Sequence, residues 1–212
     1  MLKSKAAVAA LIALTLSSCS SEGTLTAQGV IVSRTACPAV AIPAATGDIT
    51  LFDPPASRDA EAIDVVANIT NVRSTCSDVG DNITSTVTFD VQARRRDSRG
   101  ARDVVLPYFA VIVQGGTNIV SKSVSQVGIR FEDGQLRAST SGAATGTVLR
   151  SAATLPPEIE RQVTRERKPG DADAAVDPMA NPEVREAVRR ASFEVLVGFQ
   201  LTQEQLAYNA TR

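Results

Sequence analysis

The sequence predicts a mainly β protein: an antiparallel β-sandwich with a helical insertion before the last strand and a short C-terminal helix. Three observations support this prediction. Apolar and polar residues alternate in several segments, turn-forming residues separate those segments, and one stretch near the end has helical spacing instead. The chain has 212 residues, 43% of them apolar, which is enough for a substantial core. We expect one domain over residues 28–212, with the helical insertion at residues 155–190.

The strands are predicted from a period of two along the sequence. In residues 83–93 the odd positions other than Ser85 are apolar and the even positions are polar, as in a strand with one buried face. Residues 104–113 are apolar almost throughout, which predicts a strand covered on both faces, with Pro107 near an edge or a bulge. The predicted strands are residues 63–69, 83–93, 104–113, 124–131, 136–149 and 193–201.

Two turns connect predicted hairpins. Gly115 and Gly116 stand between two apolar segments, which is typical of a tight hairpin. Residues 77–82, which include Gly80 and Asn82, join the strand that ends at Cys76 to the strand that begins at Ile83. The resulting pattern resembles an immunoglobulin-like β-sandwich. This is a likeness of architecture, because the buried Trp of antibody domains is missing.

Helical signals interrupt the alternation within residues 155–190. A proline pair opens a helical stretch over residues 156–167. Asn181, which precedes a proline, has the residue type favoured at the start of a second helix. After the last strand, Thr202 and Gln205 match a capping box, which predicts a short terminal helix.

The N-terminus has the pattern of an export signal. Lys3 and Lys5 precede an apolar stretch at residues 6–16, which is too short to span a membrane. The stretch ends in Leu-Ser-Ser-Cys, and this sequence resembles the lipobox of Gram-negative bacterial lipoproteins. The alternative is an ordinary secretory signal in which Cys19 is incidental.

The lipobox resemblance implies a lipid anchor. In that family the peptidase cuts before the cysteine, so residues 1–18 form the signal peptide, and residues 19–27 form the acylated cysteine and a tether. Cys19 is then the lipidation site, and its acyl chains hold the protein stably in a bilayer. The next residue is Ser20 rather than Asp, which implies the periplasmic face of the outer membrane.

Two further cysteines remain for the exported chain. An oxidising compartment favours pairing of thiols, so we predict a disulfide between Cys37 and Cys76. The alternative, a redox or metal role, requires ligand spacing that these two residues do not have.

The composition excludes several classes of function. The chain has no His and no Trp, which excludes the Ser-His-Asp triad and His-ligated metal sites. Lys plus Arg number 22 against 23 Asp plus Glu, so the chain has a net charge of −1 and no overall positive potential that would attract nucleic acid. We predict no catalytic residues, no metal and no cofactor.

An arginine-rich turn is the main candidate for a binding site. Its guanidinium groups suit a phosphate, a carboxylate or an acidic partner. The alternative is a solvated hairpin tip whose charge is neutralised by neighbouring aspartates. The candidate anion or partner contacts are Arg94, Arg95, Arg96, Arg99 and Arg102.

The inserted segment contains an acidic loop. Asp171, Asp173 and Asp177 have the spacing of calcium ligands, but the EF-hand pattern fails at Val176 and Pro182. A solvated acidic loop is the alternative. Under the alternative hypothesis of an envelope hydrolase, the same three acids are candidates for catalysis.

Together these features predict a lipid-anchored accessory or binding module of the cell envelope without catalysis. Its expected partners are the membrane, through the acyl anchor, and another envelope protein; the sequence identifies no small-molecule ligand. The alternatives are an envelope hydrolase that uses Asp or Glu, and a purely structural envelope lipoprotein.

Overall fold

The computed structural model describes residues 24–26, 29–31, 35–165, 167 and 170–211. The predicted signal peptide and the predicted lipidation site, Cys19, lie outside the described residues. The chain divides into two compact units, Met1–Arg34 with Thr164–Val176, and Thr35–Val163 with Asp177–Arg212. In the first unit, strands β1 (Thr24–Thr26) and β2 (Gly29–Ile31) form an antiparallel pair.

The second unit is mainly β and contains two four-stranded sheets, ordered β3-β10-β7-β8 and β4-β5-β6-β9. Its strands are β3 (Ala39–Ala41), β4 (Asp48–Phe52), β5 (Ile63–Val79), β6 (Asn82–Arg95), β7 (Arg102–Gln114), β8 (Asn118–Phe131), β9 (Arg137–Leu149) and β10 (Phe193–Phe199). Within these sheets, β3 pairs parallel to β10 and the other pairs are antiparallel. The parallel pair departs from the predicted antiparallel order because β3 and β10 are far apart in sequence and no hairpin fixes their direction.

The inner faces of the two sheets share one hydrophobic core. The predicted alternation over residues 83–93 is confirmed, since the odd positions of β6 are buried. The Tyr108 ring packs edge-on against Phe89 with ring centroids 5.1 Å apart, and its hydroxyl donates to the carbonyl of Ala143 at 2.7 Å. Tyr108 lies in β7 and Ala143 in β9, so this hydrogen bond joins the two sheets. Gly142 is required beside them, because a Cβ there would overlap the Phe89 ring.

The hairpins differ from the predictions in two details. The β7–β8 turn at Gly115 and Gly116 is confirmed. The β5–β6 turn is shorter than predicted, because pairing continues to Val79 and the left-handed Gly80 closes the turn. Pro107 lies in an interior strand rather than at an edge or bulge. The ladder with β10 ends at Tyr108 and Phe199. Beyond it the Pro107 carbonyl still accepts from the Gln200 amide at 2.9 Å, so only the hydrogen bond from the missing N–H is lost.

The described residues include the α-helices α1 (Arg150–Ala153), α2 (Pro157–Thr164), α3 (Pro182–Arg190) and α4 (Gln203–Thr211). The Asn181 side chain accepts a hydrogen bond from the Glu183 amide at 2.9 Å, which confirms the predicted cap of α3. Thr202 and Gln205 form the predicted capping box of α4, with bonds of 2.9 and 3.2 Å. Among the residues that the structure describes, no helix is both long and apolar enough to cross a membrane.

Candidate functional site

The predicted arginine run occupies the end of β6, the turn at residues 96–101, and the start of β7. Successive side chains of a strand point to opposite faces. Arg94 is therefore exposed on the outer face of β6, whereas Arg95 points towards the other sheet and is only 3% exposed. Arg96 follows the strand and is exposed again. The structure thus buries one of the five arginines, Arg95, and leaves the other four exposed.

Arg95 is a buried structural residue. Its guanidinium donates to the carbonyl oxygens of Ser98, Gly100, Glu132 and Gln135 at 2.7–2.9 Å. It also lies over the Phe131 ring, 5.2 Å from the centroid. Arg95 therefore ties the turn after β6 to the turn before β9, and its donors are directed at these turns rather than at a ligand.

Arg99 and Arg102 are paired with carboxylates. Arg102 binds Asp64 through two hydrogen bonds of 2.6 and 2.8 Å. Arg99 binds Asp97 at 2.6 Å, and this side-chain hydrogen bond holds the pKa of Asp97 well below its usual range. The same pairings raise the pKa of both guanidinium groups. The charges of these two arginines are therefore largely compensated locally.

Arg94 differs because it faces another arginine. In the register of β6 and β9, Arg94 lies directly opposite Arg137, and both side chains are exposed. Like charges directly opposite each other on neighbouring strands are destabilising. Among the described residues, no carboxylate forms an ion pair or hydrogen bond with Arg94, Arg96 or Arg137. The sequence reasoning missed Arg137, because only the strand register brings it to this place.

Arg94 and Arg137 line an open groove of about 770 Å³ on the outer face of the sheet, which we call the arginine groove. Amide and hydroxyl groups line it beside the arginines, and aliphatic side chains add apolar surface. A pocket of about 340 Å³ shares Ile63, Val66 and Arg94 with this groove and adds Arg96 together with Asp64, the partner of Arg102. The lining of the arginine groove is Ile63, Val66, Asn68, Gln92, Ala93, Arg94, Arg137, Ala138 and Ser139.

The groove has the chemistry of oxyanion recognition. A guanidinium group presents a planar fork of donors that matches a carboxylate or a phosphate. Two such groups face each other here without a compensating acid among the described residues, and polar donors lie beside them. The nearby acids, Asp64 and Asp97, already accept hydrogen bonds from arginines. The arrangement therefore favours binding of an anion over proton transfer by these acids.

The predicted acidic loop has other contacts. Arg165 donates to Asp173 and to Asp171, the latter at 3.5 Å. Asp177 caps a single 3-10 turn (Pro178–Ala180) by accepting from the Met179 amide at 2.8 Å. Within the described part of the chain, no three His, Cys, Asp or Glu side chains are grouped as a metal site would require. The three aspartates are thus engaged with protein donors.

The predicted disulfide is present. Cys37 and Cys76 are joined across a sequence separation of 39 residues. Cys76 lies in the part of β5 beyond its pairing with β4, so the bond fastens that strand to the segment before β3.

The chain matches no family model, no curated protein and no solved structure. The functional argument therefore depends on the geometry of the chain itself.

Proposed function

We propose that this chain is a lipid-anchored accessory module of the cell envelope that binds an oxyanion-bearing ligand in the arginine groove and performs no catalysis. The observation on which the proposal depends is the opposition of Arg94 and Arg137. An opposite-charge pair at these positions would stabilise the sheet, whereas two arginines destabilise it unless an anion lies between them. Surface residues that lower the stability of the fold are typical of a binding site.

The cellular part of the proposal depends on the N-terminus. The lipobox at residues 16–19 supports export and acylation of Cys19, and Ser20 supports placement at the periplasmic face of the outer membrane. The Cys37–Cys76 disulfide agrees with an exported protein, because such bonds persist in oxidising compartments. We further propose that the two sheets form an immunoglobulin-like sandwich, a scaffold that hosts many unrelated binding functions.

Titration calorimetry with inorganic pyrophosphate tests the groove. We expect the purified protein to bind pyrophosphate with an affinity that falls with salt. The double variant Arg94→Gln/Arg137→Gln should lose about tenfold or more, equivalent to ~1.4 kcal/mol. Arg161→Gln/Arg185→Gln is the matched control, because it removes two exposed arginines from α2 and α3. Equal loss in both double variants would show that binding depends on net charge alone and would refute the proposed site.

Mass spectrometry of protein purified from envelopes after in-cell cross-linking tests the anchor. We expect a diacylated or triacylated Cys19 and a recurrent protein partner, and both should be absent from the Cys19→Ala variant. An unmodified Cys19 in the natural protein would contradict the lipid anchor. Turnover of an envelope substrate that depends on Asp171 or Asp173 would favour the hydrolase alternative instead.

A further inference from the structure

The outer face of the β5-β6-β9 sheet continues the arginine groove as a surface rich in hydroxyl groups. Two adjacent rows across the three strands consist entirely of Ser and Thr, because the register aligns them. Four of these six side chains are exposed, and those of β6 are half-buried. We call this surface the hydroxyl face; its rows are Ser77, Thr84 and Thr147, and Thr75, Thr86 and Thr145.

The hydroxyl face and the arginine groove form one continuous strip along β6. Between them, Gln92 lies opposite Ser139, and Asp90 lies opposite Ser141. The Asp90 carboxylate accepts hydrogen bonds from Ser141 at 3.0 Å and from Asn71 at 2.8 Å, so both of its oxygens have protein donors, although it keeps its negative charge between the two surfaces. From Thr84 to Arg94 the strip is about 34 Å long, at roughly 3.4 Å per residue.

Positive charge recurs along this strip. Arg73 lies opposite Thr88, next to the hydroxyl face, and its Nε donates to Asn71 at 2.8 Å. Thr88 is six residues from Arg94 along β6, which places the two basic positions about 20 Å apart. A ligand that meets both must be extended and must have more than one acidic group.

We infer that the ligand of the arginine groove is an extended acidic glycan that lies along β6, with its acidic groups near Arg94, Arg137 and Arg73 and its hydroxyls on the hydroxyl face. This inference rests on the proposed function and specifies its ligand. Ser and Thr hydroxyls both donate and accept, as sugar hydroxyls do, so the two surfaces are complementary. Each acidic group can bind a guanidinium fork in addition.

An extended peptide fits this surface less well. The backbone groups of β6 are already bonded to β5 and β9, so a peptide cannot add to this face as a further strand. Its own N–H and C=O groups would need other partners. The outer face of the other sheet is less polar than the hydroxyl face, because its outer positions include Val105, Phe109 and Leu196.

Binding of oligogalacturonates of different length tests the inference. We expect a long oligogalacturonate to bind at least about tenfold more tightly than digalacturonate, because contacts along the face become intramolecular once the groove is occupied. A neutral maltooligosaccharide of the same length should bind much more weakly. Thr86→Val/Thr145→Val removes two hydroxyls while keeping the shape and the strand propensity. This variant should bind the long oligogalacturonate no more tightly than digalacturonate, and its affinity for digalacturonate should equal that of the parent.

The control variant is Ser121→Ala/Ser125→Ala, which removes two exposed hydroxyls from β8 in the other sheet and should bind like the parent. Equal affinity for long and short oligomers would overturn the glycan inference but leave the proposed function intact. Binding of pyrophosphate without binding of oligogalacturonate would have the same consequence, and so would tighter binding to anionic phospholipid vesicles than to every glycan. If Arg94→Gln/Arg137→Gln bound pyrophosphate and digalacturonate as tightly as the parent, the proposed function itself would fail.

Discussion

Replacing Arg95 with methionine removes the guanidinium that donates to the carbonyls of Ser98, Gly100, Glu132 and Gln135, and keeps an unbranched apolar side chain in its place. Hydrogen bonds from a charged donor contribute about 1.5–3 kcal/mol each, so four of them set an upper bound of roughly 6–12 kcal/mol. The released carbonyls belong to surface turns, where water can satisfy them after relaxation. We therefore expect Arg95→Met to lower the free energy of unfolding by about 3–5 kcal/mol.

Urea unfolding followed by circular dichroism measures this loss. Arg94→Met is the matched control, because the same substitution one position earlier falls on the exposed outer face and should change stability by less than about 0.5 kcal/mol. Arg95→Lys keeps the charge without the planar fork, so its loss should be intermediate. Equal effects of Arg94→Met and Arg95→Met, or a loss below about 1 kcal/mol for Arg95→Met, would refute the structural role assigned to Arg95.

Three further predictions follow from the charges and the crosslink. Reducing the disulfide at Cys76 should lower stability by about 4 kcal/mol on the chain-entropy model for its 39-residue separation, and an unchanged thermal midpoint with reductant would contradict this. Arg137→Glu gives Arg94 an opposite charge across the strands, so it should raise the free energy of unfolding, measured in urea, by about 0.2–1 kcal/mol. Calorimetry of the same variant should show loss of pyrophosphate binding. A lower free energy of unfolding would contradict the like-charge interpretation. The pKa of Asp97 is lowered by its hydrogen bond with Arg99, so the stabilisation is present above about pH 3.9 and is lost as the pH falls through the lower folded-state pKa. In an NMR titration, Arg99→Ala should return the Asp97 pKa towards about 3.9, and an unchanged pKa would exclude Arg99 as the cause.

In strands with a clear alternation the face of each residue could be predicted from the sequence, but the partner across the sheet could not. The prediction that residues 104–113 are covered on both faces is wrong at the start of that strand, because Val105 is 56% exposed. All odd positions of residues 83–93 except Ser85 are apolar, and Arg95 continues that series, so the period of two alone predicts that Arg95 is buried. The place of Arg137 depends on the register of β9 with β6, which no local pattern specifies. The strands β3 and β4 are too short to show a period.

The turns and helix starts were predicted more completely, because their signals are local. The Asn181 cap and the Thr202 capping box depend on residues within one helical turn, and both form as expected. The predicted β5–β6 turn is too long because residues 77–82 are mostly polar, and polar residues also suit the exposed end of a strand, as Ser77 and Asp78 do in β5.

The hydrogen bond from Tyr108 to Ala143 makes the edge strand β9 part of the cooperative core. Edge strands commonly fray, and their amide protons then exchange with water by local opening. Here, peeling β9 away from β6 would also break the Tyr108 bond and uncover the Phe89 ring beneath Gly142. Amide exchange in the middle of β9, around Gly142 and Ala143, should therefore follow global unfolding.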